Sequence, residues 1–129
     1  IKNPCDIEHI WSKGYRSYPG MFDSDHDFEY WRNHVASLLL LPADVNRSLQ
    51  DIVFNQKAPH YAKQNLYAAS LTAFTYEHKP KFQQFKDDNN LPFKAYEKFG
   101  KDEQMERREL VRALVHMVWS PDRIKEVSK

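Results

Sequence analysis

The sequence predicts an α+β fold, mostly helical, in which a small β-β-α unit leads into several C-terminal helices. Three observations predict it. Two short apolar runs of strand character, Asp6–Ile10 and Ser37–Leu41, fall in the first third of the 129-residue chain. From Ser48 onward the apolar residues recur at helical spacing. Glycine occurs only three times, too rarely for an all-β sandwich or barrel with many tight turns.

In chain order, residues 1–5 are a lead-in, where Pro4 keeps Asn3 out of a helix. Asp6–Ile10 is a short strand. Its successive side chains point to opposite faces, so Glu8 and His9 can meet a common ligand only at a strand end or a bulge. Trp11 to Asp27 is a polar loop carrying Gly14 and Pro19-Gly20. Asp23, Asp25 and Asp27 alternate as in a calcium loop, but the glycine and distal glutamate of that motif are missing. The plainer reading is a turn whose aspartates cap a helix over Phe28–Asn33. Ser37–Leu41 is a second strand, apolar on both faces and therefore buried. Pro42 ends it and suits the first position of a helix over Ala43–Gln50.

Beyond it, Lys57–Thr75 reads as one long helix or two short ones, with Tyr61, Leu66, Ala69, Leu71 and Phe74 as the apolar stripe. Pro80 opens a short helix ending at Asp88–Asn90, and Pro92–Phe99 is another short element stopped by Gly100. Asp102 is the expected cap of a strong helix from Glu103 to Trp119. Its apolar face comprises Met105, Leu110, Ala113, Leu114, Met117 and Val118. Trp11, Trp31 and Trp119 are expected to anchor the core, and His116 to be a partly buried core histidine. The expectation is one domain over residues 1–129, with the β-β-α unit at about 5–56 and the helical remainder at about 57–129. Because the chain begins with Ile rather than Met, it reads as the C-terminal part of a longer protein.

Apolar residues make up 41% and aromatics 14% of the chain, which favours a packed core over disorder. The net charge of +1 does not demand a nucleic-acid partner, but its distribution is uneven. Residues 1–31 carry Lys2, Lys13 and Arg16 against Asp6, Glu8, Asp23, Asp25, Asp27 and Glu29. Residues 57–86 carry Lys57, Lys63, Lys79, Lys81 and Lys86 against Glu77 alone. An acidic pole beside a basic one suits a metal centre next to a phosphate-binding surface, whereas a solvated helix face is the commoner meaning of such a run. Cys5 is the single cysteine, so no disulfide forms within the chain, and a reducing, cytoplasmic setting is expected. No apolar run approaches the ~18 residues needed to span a bilayer, and no membrane partner is expected.

Glu8-His9-Ile10, the Leu38–Leu41 run, Asn46, then Phe54 and Lys57 eight and eleven residues beyond it, form a spaced pattern. It resembles the C-terminal HNH (His-Me finger) nuclease domain of GmrSD-type modification-dependent restriction proteins. The resemblance runs on through Asp51, His60, Tyr61, Gln64 and Asn65 and, more weakly, to Arg107 and Trp119. It implies a ββα-metal unit and a DNA endonuclease that nicks or cleaves phosphodiester bonds in restriction of foreign or phage DNA. It further implies His9 as the base that takes a proton from water, Glu8 and Asn46 as oxygen ligands of Mg²⁺ or Mn²⁺, and Arg47, Lys57, His60 and Lys63 as phosphate contacts. The expected partners are double-stranded DNA and an N-terminal regulatory NTPase domain of the full-length chain. One departure stands out: Ser37 occupies the position where the family has an Asn before its Leu run. Asn33, four residues earlier, is the candidate to take over the orienting role on His9. Taken singly, each of these residues has an ordinary meaning: a hydrogen-bonded surface histidine, a solvated lysine, a turn aspartate at Asp51. A different class of function fits the departure, namely a catalytically degenerate nucleic-acid-binding or protein-interaction helical module. RNA is a third candidate substrate.

Overall fold

A computed structural model describes residues 4–12, 18–50, 52–122 and 125. Asp51 and the loop residues Lys13, Gly14 and Arg16 lie outside the described residues, as does Lys2. Among the described residues the chain is α+β and mostly helical, with one antiparallel two-stranded sheet. Strand β1 (Cys5–His9) pairs with β2 (Leu38–Pro42), in a register running from Cys5 opposite Pro42 to His9 opposite Leu38. The Ile10 N–H donates to the Ser37 carbonyl at 3.0 Å just beyond the ladder.

Helix α1 (Asp25–Arg32) lies between the strands. Ser24 caps it by accepting from the Asp27 N–H at 3.1 Å, and the Asp27 carboxylate accepts from the Asp23 N–H at 3.0 Å. The aspartates therefore lie at a helix N-terminus, as the plainer reading held, but Ser24 is the cap, and the helix starts three residues before the expected Phe28. A 3₁₀ turn over Val35–Ser37 feeds β2. Leu39 and Leu41 of β2 are buried, whereas Leu40 is 58% exposed opposite Ile7, itself 57% exposed. The expectation of a strand buried on both faces is thus corrected: a two-stranded sheet has one face covered by helices and the other open.

Helix α2 (Ala43–Ser48) follows β2 without a loop, shorter than the expected Ala43–Gln50. The run expected to form one long helix or two short ones breaks into three, α3 (Phe54–Tyr61), α4 (Leu66–Ala69) and α5 (Ala73–His78). Asn65 explains one break: its Oδ1 caps α4 at the Ala68 N–H (3.0 Å), and its amide donates to the Leu40 carbonyl at 2.7 Å. Of the expected stripe, Tyr61, Ala69 and Leu71 are buried, while Leu66 and Phe74 are about half exposed. Helix α6 (Pro80–Asp88) ends where Asn90 turns to φ 50°, a conformation Asn tolerates better than most side chains. Residues 91–99 carry no regular element, against the expected short one, although Leu91, Phe93 and Phe99 are buried.

Helix α7 (Lys101–Trp119) is the long one expected, capped at Gly100 rather than Asp102, with the Glu103 carboxylate accepting from the Gly100 N–H at 3.0 Å. Its fully buried residues are Gln104, Arg107 and Leu110. Met105 and Val118 of the expected apolar face are about half exposed, Trp119 is 68% exposed and His116 is exposed, so neither of the last two sits in the core as expected. Long-range polar anchoring replaces part of the apolar seam: Gln104 donates to the Trp31 carbonyl and to the Ser37 hydroxyl, both at 2.6 Å.

One apolar cluster joins Ile10, Trp11, Phe28, Leu39, Leu41, Leu49, Tyr61 and Phe99 across the sheet, α1, α3 and the segment before α7. A second joins Phe82, Leu91, Phe93 and Leu110. Trp11 is a core anchor as expected, 1% exposed, its indole N–H donating to the Phe99 carbonyl at 2.6 Å. No helix among the described residues is long and apolar enough to cross a membrane.

Candidate functional site

Glu8 and His9 are the last two residues of β1, opposite Leu39 and Leu38. Glu8 and His9 both line one cleft of about 180 Å³, together with Ile7, Arg32, Asn46 and Gln50. Glu8 and Asn46 are 2% and 8% exposed. Three local features converge here. The strand end supplies Glu8 and His9, the last turn of α1 supplies Arg32, and the loop-free passage from β2 into α2 carries Asn46 inward.

His9 is held by Asn33, with Nε2 2.9 Å from the amide Oδ1. The Asn33 Nδ2 donates to both the Glu29 carbonyl and the Glu29 carboxylate, each at 3.0 Å. With both amide hydrogens committed, the amide oxygen must accept from the ring, so Nε2 carries the proton and Nδ1 the lone pair. Burial, and secondarily the positive charge of Arg32, lower the imidazole pKa from its ordinary value, so the ring is neutral at pH 7. Ser37 does not touch His9. It is fully buried and takes the Gln104 amide. Of the two candidates for the orienting position, Asn33 is the one in contact with the imidazole.

Glu8 is tied from below. The Tyr61 hydroxyl donates to its Oε2 at 2.9 Å, and the Lys57 ammonium lies 3.4 Å from the same oxygen. Lys57 also donates to the His9 carbonyl at 2.8 Å and to the Ile10 carbonyl at 3.3 Å. Burial raises the Glu8 pKa, opposed first by the Lys57 charge and then by the Tyr61 hydrogen bond. Burial and the Glu8 charge push the Tyr61 hydroxyl far up, so it stays a donor. The expectation of Lys57 as a phosphate contact is corrected here: it has no exposed surface and braces the strand end from inside. Arg47, His60 and Lys63 are exposed, and none of them lines the cleft.

Among the described residues no three His, Cys, Asp or Glu side chains gather into a metal group. The cleft instead offers one carboxylate, from Glu8, and two side-chain amides, from Asn46 and Gln50. These are the hard donors that magnesium takes from proteins while keeping several waters. The donor set fits a hydrated divalent ion held largely by water.

Two lining residues escaped the sequence reading, Arg32 and Gln50. Arg32 had a signal, since it directly precedes Asn33 at a helix end where basic side chains are favoured. So did the inner brace: Lys57 and Tyr61 are four apart and share one face of α3. No protein-family model, curated protein or solved structure matches the chain.

Proposed function

We propose that this chain is a divalent-metal-dependent endonuclease domain of the HNH type, hydrolysing phosphodiester bonds in DNA. One observation carries the reading: His9, held at Nε2 by Asn33, lines the same cleft as Glu8 and Asn46. Phosphodiester hydrolysis needs an activated water and stabilisation of charge on the phosphate and the leaving oxygen. His9 takes the proton from water at Nδ1, and Asn33 holds the ring in the tautomer that makes this possible. Glu8 and Asn46 hold Mg²⁺ or Mn²⁺, which when bound supplies Lewis-acid stabilisation of the developing charge. Tyr61 and Lys57 keep the Glu8 oxygens in place. Arg47, His60 and Lys63 are outlying phosphate contacts on this reading, and double-stranded DNA is the partner.

The test is nicking of supercoiled plasmid with Mg²⁺ or Mn²⁺ by the native chain and by His9→Ala. Loss of nicking in the variant supports the reading; equal nicking by both removes His9 from the mechanism.

A second reading, a catalytically degenerate nucleic-acid-binding module, is favoured by the buried Glu8–Lys57 pair, which already neutralises the carboxylate. It predicts salt-dependent DNA binding with no divalent-ion-dependent turnover.

A further inference from the structure

We infer that Arg32 forms an oxyanion subsite in the cleft, which clamps the non-bridging oxygens of a single phosphodiester in a polynucleotide backbone. The inference rests on the endonuclease reading for the identity of the polymer, and on geometry for the subsite itself.

The Arg32 guanidinium is positioned before any ligand arrives. Its Nε donates to the Trp11 carbonyl at 3.1 Å, and Trp11 is itself fixed by its bond to the Phe99 carbonyl at 2.6 Å. A guanidinium anchored through Nε leaves its two terminal nitrogens as the remaining donors, and these match two oxygens of one phosphate. Arg32 has no carboxylate partner among the described residues, unlike Arg112, which pairs with Glu109 at 3.0 Å. It lines the cleft beside His9. Gln50 sits at the exposed rim of the same cleft and adds a neutral donor and acceptor.

Size selects the class of ligand. At about 180 Å³ the cleft is below the roughly 300–1,000 Å³ of sites that enclose a whole small molecule. It takes one projecting group of a larger ligand. A cation fork beside a neutral imidazole suits a backbone phosphate between two sugars, a contact that positions the chain without carrying sequence information.

The experiment uses the chain without divalent ions. Binding of inorganic phosphate is followed by ³¹P line broadening for the native chain, Arg32→Gln and Arg32→Met, with circular dichroism as the check on folding. Arg32→Gln keeps a donor for the Trp11 carbonyl and loses the fork, so it serves if Arg32→Met fails to fold. The expected result is broadening in the native chain, weakened by about tenfold to a hundredfold in affinity in either folded variant. No broadening by the native chain, or equal broadening by Arg32→Gln, overturns the subsite. Plasmid nicking separates the two proposals. Arg32-dependent phosphate binding without any nicking leaves the subsite standing and sinks the endonuclease reading. His9-dependent nicking that is unchanged in Arg32→Gln sinks the subsite alone.

Discussion

Lys57, with no exposed surface, and Arg107, 1% exposed, are two buried cations on α3 and α7, each seated among different partners. Lys57 faces a carboxylate, Glu8 at 3.4 Å, and donates to two carbonyls at the end of β1. Arg107 has no carboxylate partner among the described residues. Its Nη2 donates to the Tyr67 carbonyl at 2.9 Å, its Nη1 reaches the Ser70 hydroxyl at 3.4 Å, and its Nε is buried without a partner. Its guanidinium lies 4.2 Å from the centre of the Tyr67 ring. The difference follows from the two head groups. An ammonium is a compact, strongly hydrated charge whose desolvation must be compensated by an opposite charge, whereas a guanidinium is weakly hydrated and stacks on aromatic faces. Lys57 thereby organises the cleft, while Arg107 ties α7 to the α4 region.

The comparison breaks most readily at Lys57. Lys57→Met leaves Glu8 buried with its countercharge gone, and removing one partner of a buried pair costs about 3–5 kcal/mol. Urea unfolding should report a loss of that size, with much of it recovered in the Lys57→Met/Glu8→Gln double variant, where no charge is stranded. A single variant within 1 kcal/mol of native, on the scale set by that same range, would show the pair to be energetically idle. Arg107→Met should cost less, about 1–3 kcal/mol, because it strands only hydrogen-bonding groups. It should also leave plasmid nicking unchanged per folded molecule. If Arg107→Met proves the more damaging of the two, the ranking of the two cations is wrong.

On the endonuclease reading, the cleft itself sharpens the contrast. Asn33→Ala frees the His9 tautomer and should slow nicking about 10- to 100-fold, the usual loss when the group orienting a site residue is removed, with little change in the urea midpoint. The pH profile follows from the direction of the His9 shift. Its pKa is lowered from 6.5, first by burial and then by Arg32, so the base is available above the ordinary imidazole range and is lost only on acidification. Nicking should stay level from pH 8 down to that range and fall below it. The matching stability term has the same sign: it is fully present above the unfolded imidazole pKa and is lost as pH falls through the lower folded value. The smallest effect is expected at the exposed Lys63, where Lys63→Ala should change stability by no more than about 0.5 kcal/mol.

By itself, the sequence determined where the two strands and the last long helix lie. Alternation at Asp6–Ile10 and the leucines of 38–41 placed both strands to within a residue, and the periodicity of 103–119 placed α7, because these signals are local. It set a carboxylate beside His9, while Asn33 and Asn46 were pointed to only by the family resemblance. Tertiary structure decided everything that depends on which face meets which. It turned Lys57 from a surface lysine into the brace of Glu8, left Leu40 and Trp119 in solvent, and brought Arg32 into the cleft. A side chain's burial is set by what packs over it from distant segments, such as α3 beneath β1 and Gln104 of α7 against Ser37, and one-dimensional spacing carries no record of those crossings.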